Sequence, residues 1–539
     1  MHKWLLAGVF ALGFLLRVVG ISSFPAGFNA DEAGQGYAAY SILKTGRDEW
    51  GEFLPLAPRS YGDFRAPLYT YLTVPSVAVF GLNEFAVRLP NAILGSFAVL
   101  VVYFLSLELF GKKRIALIAS FLFAFSPWHI MLSRGAFEPN LPTLLIPLGI
   151  LAFLKGIKSS KWMLLSAFIF GISLFSYYAA SFLVPLMVIF LFWQYRGKAK
   201  RQYLPVAIFL FFLTAFFVNS FFGSATRGAD VAIFNPTGGW GAVADARFEA
   251  RQLGLWDPVA RVFNNKAIYT FEVFVRNYLS YLSPQFLFTN GAGESTYGLT
   301  PGIGLLYFVE FAFLFGFLAI LVKNKDKRLF WLALWILIAP IPAALSKGPG
   351  FAANRAAVIM PAIQIASAVG AYYAYKAVKL KKVFAGVAVV LIFVNFALFV
   401  EDYVYHAPSK NARAMSFGWR QAVGFLKERE DNYKRIIVSR KFSEPQMFIA
   451  FYKKLDPLVV QSESTDWLRY EDEGLKFVDQ LGEYRLGKYV IRNINFAEDS
   501  KLTETLLVGA PDDFPDDVVY FAKFNYPDGE PAIVMAKSR

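Results

Sequence analysis

Cysteine is absent from the 539 residues, so no disulfide or thiol chemistry is available to this chain. Histidine occurs three times, as His2, His129 and His406, which leaves little for a His-rich metal site. Charge is scarce. Asp, Glu, Lys and Arg make up 17% of the chain, where a soluble domain carries about a quarter. No P-loop and no glycine-rich dinucleotide fingerprint followed by a strand–helix unit is present, so nothing points to a nucleotide-bound substrate. Internal repeats and low-complexity segments are also missing, which weakens a transporter built from paired halves.

Apolar side chains fill the space left by charge. They make up 56% of the sequence, aromatics 18%, and Phe alone occurs 57 times. Mean hydropathy is +0.43. A spanning helix needs about 20 mostly apolar residues. Eleven segments are candidates: 4–21, 90–110, 115–132, 141–154, 162–177, 181–195, 203–222, 301–322, 329–345, 356–375 and 383–402. The first fits an uncleaved anchor better than a signal peptide, because its apolar run is long and no small-x-small cleavage site follows. Arg17 near its end is expected to snorkel to the interface.

The net charge of +14 is unevenly placed. Residues 410–539 hold 20 Lys+Arg and 21 Asp+Glu, so the excess belongs to the apolar part. It lies in the short connections 111–114, 155–161, 196–201, 323–328 and 376–382. The alternate connections 133–140, 178–181 and 346–355 are poor in basic residues. Basic short loops face the cytoplasm. This pattern predicts a multi-pass cell-membrane protein with a cytoplasmic N-terminus and an extracytoplasmic C-terminal part. It does not suggest nucleic acid.

Two domains are expected. Residues 1–402 form a transmembrane module with outer loops 22–89 and 223–300. Residues 403–539 form an extracytoplasmic α/β domain, with a helix over 419–429 and strands over 435–440, 488–492, 518–523 and 532–537.

The first outer loop carries the densest chemistry. Asp31 and Glu32 directly follow the first span and open a stretch with Ala33, Tyr37, Tyr40 and Leu43 at helical spacing. An Asp at a helix start is also an ordinary N-cap. Pro67 suits the start of a helix over 65–80. His129 has a satisfied interfacial role as its first reading, and metal ligation beside Glu138 as its second. Trp128, Tyr177 and Tyr178 read as interfacial aromatics. The run 290–296 reads as a turn without chemistry.

In order along the chain come Asp31-Glu32, Pro67-Leu68-Tyr69, Arg88-Leu89-Pro90, the turn Ser133-Arg134-Gly135-Ala136-Phe137-Glu138-Pro139-Asn140, and Ala353-Asn354-Arg355 followed by Pro361. This series, over roughly residues 1–400, resembles the GT-C glycosyltransferases, which include protein O-mannosyltransferases and lipid A aminoarabinose transferases. The resemblance implies a polytopic α-helical GT-C fold of about 11 transmembrane helices and two helices along the membrane in the first outer loop. It also implies transfer of a sugar from a polyprenyl-phosphate donor to an unknown acceptor: protein, glycolipid or wall glycan. Asp31, with Glu32 beside it, would be the catalytic carboxylate that takes the acceptor's proton. Arg355 and Arg88 first, then Arg134 and Arg65, would bind the donor phosphate. Glu138 would serve the acceptor or a divalent metal. No cofactor is certain, because Arg65-Ala66-Pro67 stands where some relatives carry a His-Pro-Pro motif. A flippase of lipid-linked sugars and a non-catalytic scaffold are the competing readings.

Overall fold

The computed structural model describes residues 2–195, 203–221, 232–234, 239–293, 295–348 and 350–538. The basic connection 196–201 and part of the expected loop 223–300 lie outside them.

All eleven expected apolar segments contain helix. They begin with α1 (His2–Val18). After the outer loop follow α4 (Glu84–Phe110), α5 (Lys113–Phe125), α6 (Pro127–Ser133), α7 (Leu141–Gly156), α8 (Ser160–Ser173), α9 (Tyr178–Tyr195) and α10 (Tyr203–Phe221). The later helices are Phe308–Lys323, Lys327–Ile338, Ala362–Ala377 and Lys381–Glu401. Among the described residues six helices have the length and composition to cross a bilayer, or seven if the bent pair α5 and α6 is one span. The other four run 14 to 17 residues, short of the roughly 20 that cross unaided.

Two boundaries move. The expected spans 301–322 and 356–375 start as helix only at Phe308 and Ala362. Pro301 and Pro361 lie in the preceding segments, and proline has no N–H with which to continue a helix. Close packing joins the two helices. A Cβ on Gly316 would stand 3.2 Å from the Gly370 carbonyl oxygen, so small residues bring these backbones together.

The basic turns gather at one end of the bundle. Arg328 donates to the Leu109 carbonyl at 3.0 Å, and Lys112 Nζ donates to Tyr373 Oη at 2.9 Å. Trp128 is not an interfacial aromatic. It is fully buried, and its indole N–H donates to the Ala353 carbonyl at 3.0 Å. Tyr178 fastens the loop between α1 and α4 by donating to Phe64 O at 2.8 Å.

That loop contains the two expected helices, α2 (Ala30–Thr45) and α3 (Pro67–Phe80, with Pro67 at its start). The terminal domain packs directly on them. Its six-stranded sheet has the order β2-β3-β1-β4-β6-β5. The strands are β1 (Arg435–Ser439), β2 (Glu483–Leu486), β3 (Tyr489–Arg492), β4 (Thr505–Gly509), β5 (Ala522–Asn525) and β6 (Pro531–Lys537). β1 pairs parallel with β3 and β4, and the outer pairs are antiparallel. The expected strand at 518–523 moves to Ala522–Asn525, because Val518 closes a turn onto Pro515 and Val519 is exposed. β2 and β4 were not foreseen.

Loop and domain share one hydrophobic core. Phe28, Tyr37, Tyr61 and Tyr69 from the loop pack in the same cluster as Trp419, Phe448, Phe451 and Trp467. Phe28 N–H donates to Met415 O at 2.7 Å, and Tyr37 Oη donates to Leu455 O at 3.0 Å. The terminal domain is therefore built onto the loop that carries Asp31.

Candidate active site

Helix α2 presents the first candidates. Its N-cap is Asn29, whose Oδ1 accepts from Glu32 N–H at 2.8 Å while Glu32 Oε2 accepts from Asn29 N–H at 3.4 Å. This is a reciprocal capping box. Asp31 is therefore not the cap. It lies in the first turn, where the helix dipole favours a carboxylate. Asp31 is exposed, and among the described residues it makes no hydrogen bond or ion pair.

Glu32 is its opposite. It is fully buried, and so is Arg88. Arg88 Nε donates to Glu32 Oε1 at 2.8 Å and Arg88 Nη2 to Oε2 at 2.7 Å, a bidentate pair. The remaining Arg88 donors reach the carbonyls of Ile21, Pro25 and Gly27 at 3.0, 3.1 and 2.6 Å. Glu32 Oε1 also accepts from Ala136 N–H at 2.9 Å. All five guanidinium N–H groups are thus used. Arg88 has none left for a phosphate, and Glu32 is committed to holding three chain segments together.

Arg134 is likewise committed. Its guanidinium donates to Leu16 O, Val19 O and Phe24 O at 2.6, 2.9 and 3.2 Å. The first two are carbonyls that the end of α1 leaves without helical partners, and the third lies in the loop that follows. Arg355 keeps more freedom. It is half-buried, and among the described residues its guanidinium makes one hydrogen bond, from Nη1 to Lys347 O at 2.7 Å. Arg65 is buried against α2. Its Nη2 donates to Ser60 Oγ at 3.0 Å, whereas its Nε and Nη1 have no hydrogen bond. Arg65 can lie there because residue 34 is glycine. A Cβ on Gly34 would fall 2.8 Å from the Arg65 Cζ.

Glu138 opens a short 3-10 turn after α6 and accepts from Gln35 Nε2 at 2.6 Å. Gln35 follows Asp31 by one helical turn, and its Oε1 accepts from Thr70 Oγ1 on α3. Asp31 and Glu138 are therefore linked through one face of α2. Gln35 and Thr70 carried no signal in the sequence, because a lone Gln and Thr on apolar helices match no chemical pattern.

His129 is buried, and its ring bonds to partners other than Glu138. Its Nδ1 lies 2.7 Å from Arg17 Nη2 and its Nε2 3.0 Å from Thr143 Oγ1. Arginine only donates, so Nδ1 accepts and the imidazole is the neutral Nε2–H tautomer. Arg17 does not snorkel. It is fully buried and donates to the carbonyls of Gly13 and Ala124 at 2.8 and 3.0 Å, beside the break at Ser126 and Pro127. Among the described residues no group of three or more His, Asp and Glu side chains is placed to hold a metal ion.

Comparison with known proteins agrees with this architecture. Residues 64–221 match the family described as dolichyl-phosphate-mannose-protein mannosyltransferase. The apo structure of ArnT from Cupriavidus metallidurans aligns over 98% of this chain and 97% of its own, at 12% identity and a TM-score of 0.55. The same protein bound to undecaprenyl phosphate aligns with a TM-score of 0.54 at 12% identity, over 99% and 97%. The Archaeoglobus fulgidus oligosaccharyltransferase tethered to an acceptor peptide aligns over 84% of this chain at 16% identity, with a TM-score of 0.51. This chain covers 63% of the length of that archaeal protein. No curated protein sequence matches the chain. The chain thus has the fold of ArnT and of the archaeal oligosaccharyltransferase, and its residues 64–221 match the mannosyltransferase family model.

Proposed function

We propose that this protein transfers a sugar from a polyprenyl-phosphate carrier to an acceptor on the outer face of the membrane, with Asp31 as the general base. The observation that carries the reading is the contrast within one dipeptide. Glu32 is buried and saturated by Arg88, while Asp31 beside it is exposed and unpaired. A fold does not need a free carboxylate at that place, but a nucleophilic hydroxyl does. The sugar on a lipid phosphate already has its leaving group, so the protein supplies a base, positioning and positive charge. Support for the donor class comes from ArnT, which was solved with undecaprenyl phosphate.

The phosphate leaving group gains negative charge as its bond to the sugar breaks. Arg355 is the arginine best placed to meet that charge, being half-buried with one guanidinium hydrogen bond among the described residues. Arg355→Ala should cost about 1.5–3 kcal/mol of transition-state stabilisation, with abundance and thermal stability unchanged. The assay is transfer or hydrolysis of radiolabelled sugar from polyprenyl-phosphate donors in membranes carrying the protein. Unchanged turnover would make Arg355 an interface anchor. Absence of turnover with every donor would overturn the transferase reading and favour a flippase.

An outer location is supported by the basic connections 111–114 and 323–328, which meet at one end of the bundle. Protease added to right-side-out vesicles should digest residues 419–539. Protection there until the membrane is permeabilised would reverse the orientation.

A further inference from the structure

Between the first outer loop and the terminal domain lies a polar cluster to which the proton transfer at Asp31 assigns no part. Glu49 is fully buried, and neither carboxylate oxygen has a hydrogen bond. Arg65 is 3% exposed, with Nε and Nη1 unbonded and Nη1 at 3.5 Å from Glu49 Oε1. Asp48 Oδ1 accepts from the backbone N–H of Trp50 and Glu52 at 3.0 and 2.9 Å, while its Oδ2 has no partner.

The terminal domain adds Glu444. Its backbone is left-handed at φ 49°, and its N–H donates to Asp479 Oδ2 at 3.0 Å. Its Oε2 is buried without a partner. A left-handed conformation at a non-glycine residue is costly and persists where the surroundings impose it. Native structures leave few buried polar groups unpaired. A buried Arg and a buried Glu both left short, together in one seam, imply a polar guest.

The chemistry of that guest can be read from the walls. Arg65 lies against Gly34 of α2, one turn from Asp31, and the charge of Asp31 acts on both Arg65 and Glu444. Burial holds Glu444, Glu49 and Asp48 above the ordinary carboxylate range, so these groups hold protons more readily than free carboxylates and offer donors as well as acceptors. One guanidinium among several acids is a poor setting for a dianionic phosphate. Vicinal hydroxyls, which both donate and accept, complement it.

We infer that Arg65, Glu49 and Glu444 form a hydroxyl-binding subsite for a sugar ring beside Asp31, shared by the outer loop and the terminal domain. The subsite rests on the transferase reading and gives the terminal domain a part in it. The ring belongs either to the donor's transferred sugar or to a glycan acceptor, since the hydroxyl chemistry is the same.

The test is saturation-transfer NMR on the purified full chain in detergent. The probes are the methyl glycosides of mannose, glucose, galactose and arabinose, with inorganic phosphate as competitor. At least one glycoside should bind, equimolar phosphate should not displace it, and Glu444→Gln and Glu49→Gln should each weaken it about tenfold. Both substitutions keep side-chain shape, and thermal unfolding checks that each variant is folded. Binding of none of the four, displacement by phosphate, or wild-type affinity in both folded variants would overturn the subsite. Glycoside binding without any turnover would count against the transferase reading alone, and turnover without glycoside binding against the subsite alone. Loss of donor hydrolysis in Glu444→Gln would assign the ring to the donor. Intact hydrolysis with slowed transfer would assign it to the acceptor.

Discussion

Asp31→Asn should leave the protein folded and abundant while lowering sugar transfer about 10²–10⁴-fold, the usual cost of removing a general base. Folding should survive for a specific reason. The cap of α2 is Asn29, locked reciprocally with Glu32, so Asp31 contributes no capping oxygen. What Asn removes is the first-turn charge, whose attraction to the helix dipole amounts to roughly 0.3–1 kcal/mol at an exposed site. That is small beside the 3–5 kcal/mol barrier increase that a rate loss of about 10²–10⁴ represents. The measurement is transfer from a polyprenyl-phosphate donor, normalised to protein in the membrane. Near wild-type transfer by a well-expressed variant would remove Asp31 from catalysis. Glu32→Gln would not separate the two effects, because it disturbs the buried pair with Arg88.

The membrane architecture was legible because it depends on composition alone. A run of apolar residues long enough to cross lipid must be helical, since nothing else satisfies its backbone there. That rule placed helix in all eleven segments, from α1 to Lys381–Glu401. The strands fared less well. β4 is buried at every position, so Thr505–Gly509 lacks the alternation that marks a half-exposed strand. β2 is four residues long.

The arginines show where local reading stops. Arg88, Arg134 and Arg355 all stand near helix ends in sequence and read alike there. Their roles are set by partners far away in the chain. Arg134 meets Leu16 across 118 positions, and Arg88 meets Glu32 across 56. The order expected among them changes as a result. Among the described residues Arg355 keeps unused donors, whereas Arg88, placed first beside it from the sequence, has none. Glu49 and Glu444 went unnoticed for the same reason. Glu49 and Glu444 stand almost 400 positions apart, and both come to act on Arg65 only because the domain folds back onto the loop.

Arg88→Ala should abolish accumulation of the folded protein rather than weaken donor binding. The substitution removes one member of a fully buried ion pair and leaves Glu32 charged among apolar neighbours, at a cost of about 3–5 kcal/mol. The carbonyls of Ile21, Pro25 and Gly27 lose their donors at the same time, and each buried acceptor left unpaired costs about 1–3 kcal/mol more. Against a total stability of about 5–15 kcal/mol, this loss is most or all of what holds the segment between α1 and α2. Arg88→Lys separates the two accounts. A lysine keeps the charge that would attract a phosphate, but its three donors at a single point cannot replace a five-donor fork. If Arg88 is the clamp, the lysine variant should unfold at clearly lower temperature and show low membrane abundance, while whatever folds keeps near-normal affinity for donor. If Arg88 were a phosphate ligand, both variants would accumulate normally and the donor KM would rise. Membrane abundance and thermal unfolding, measured beside donor KM, distinguish the outcomes. Normal stability with a raised KM would return Arg88 to the donor site.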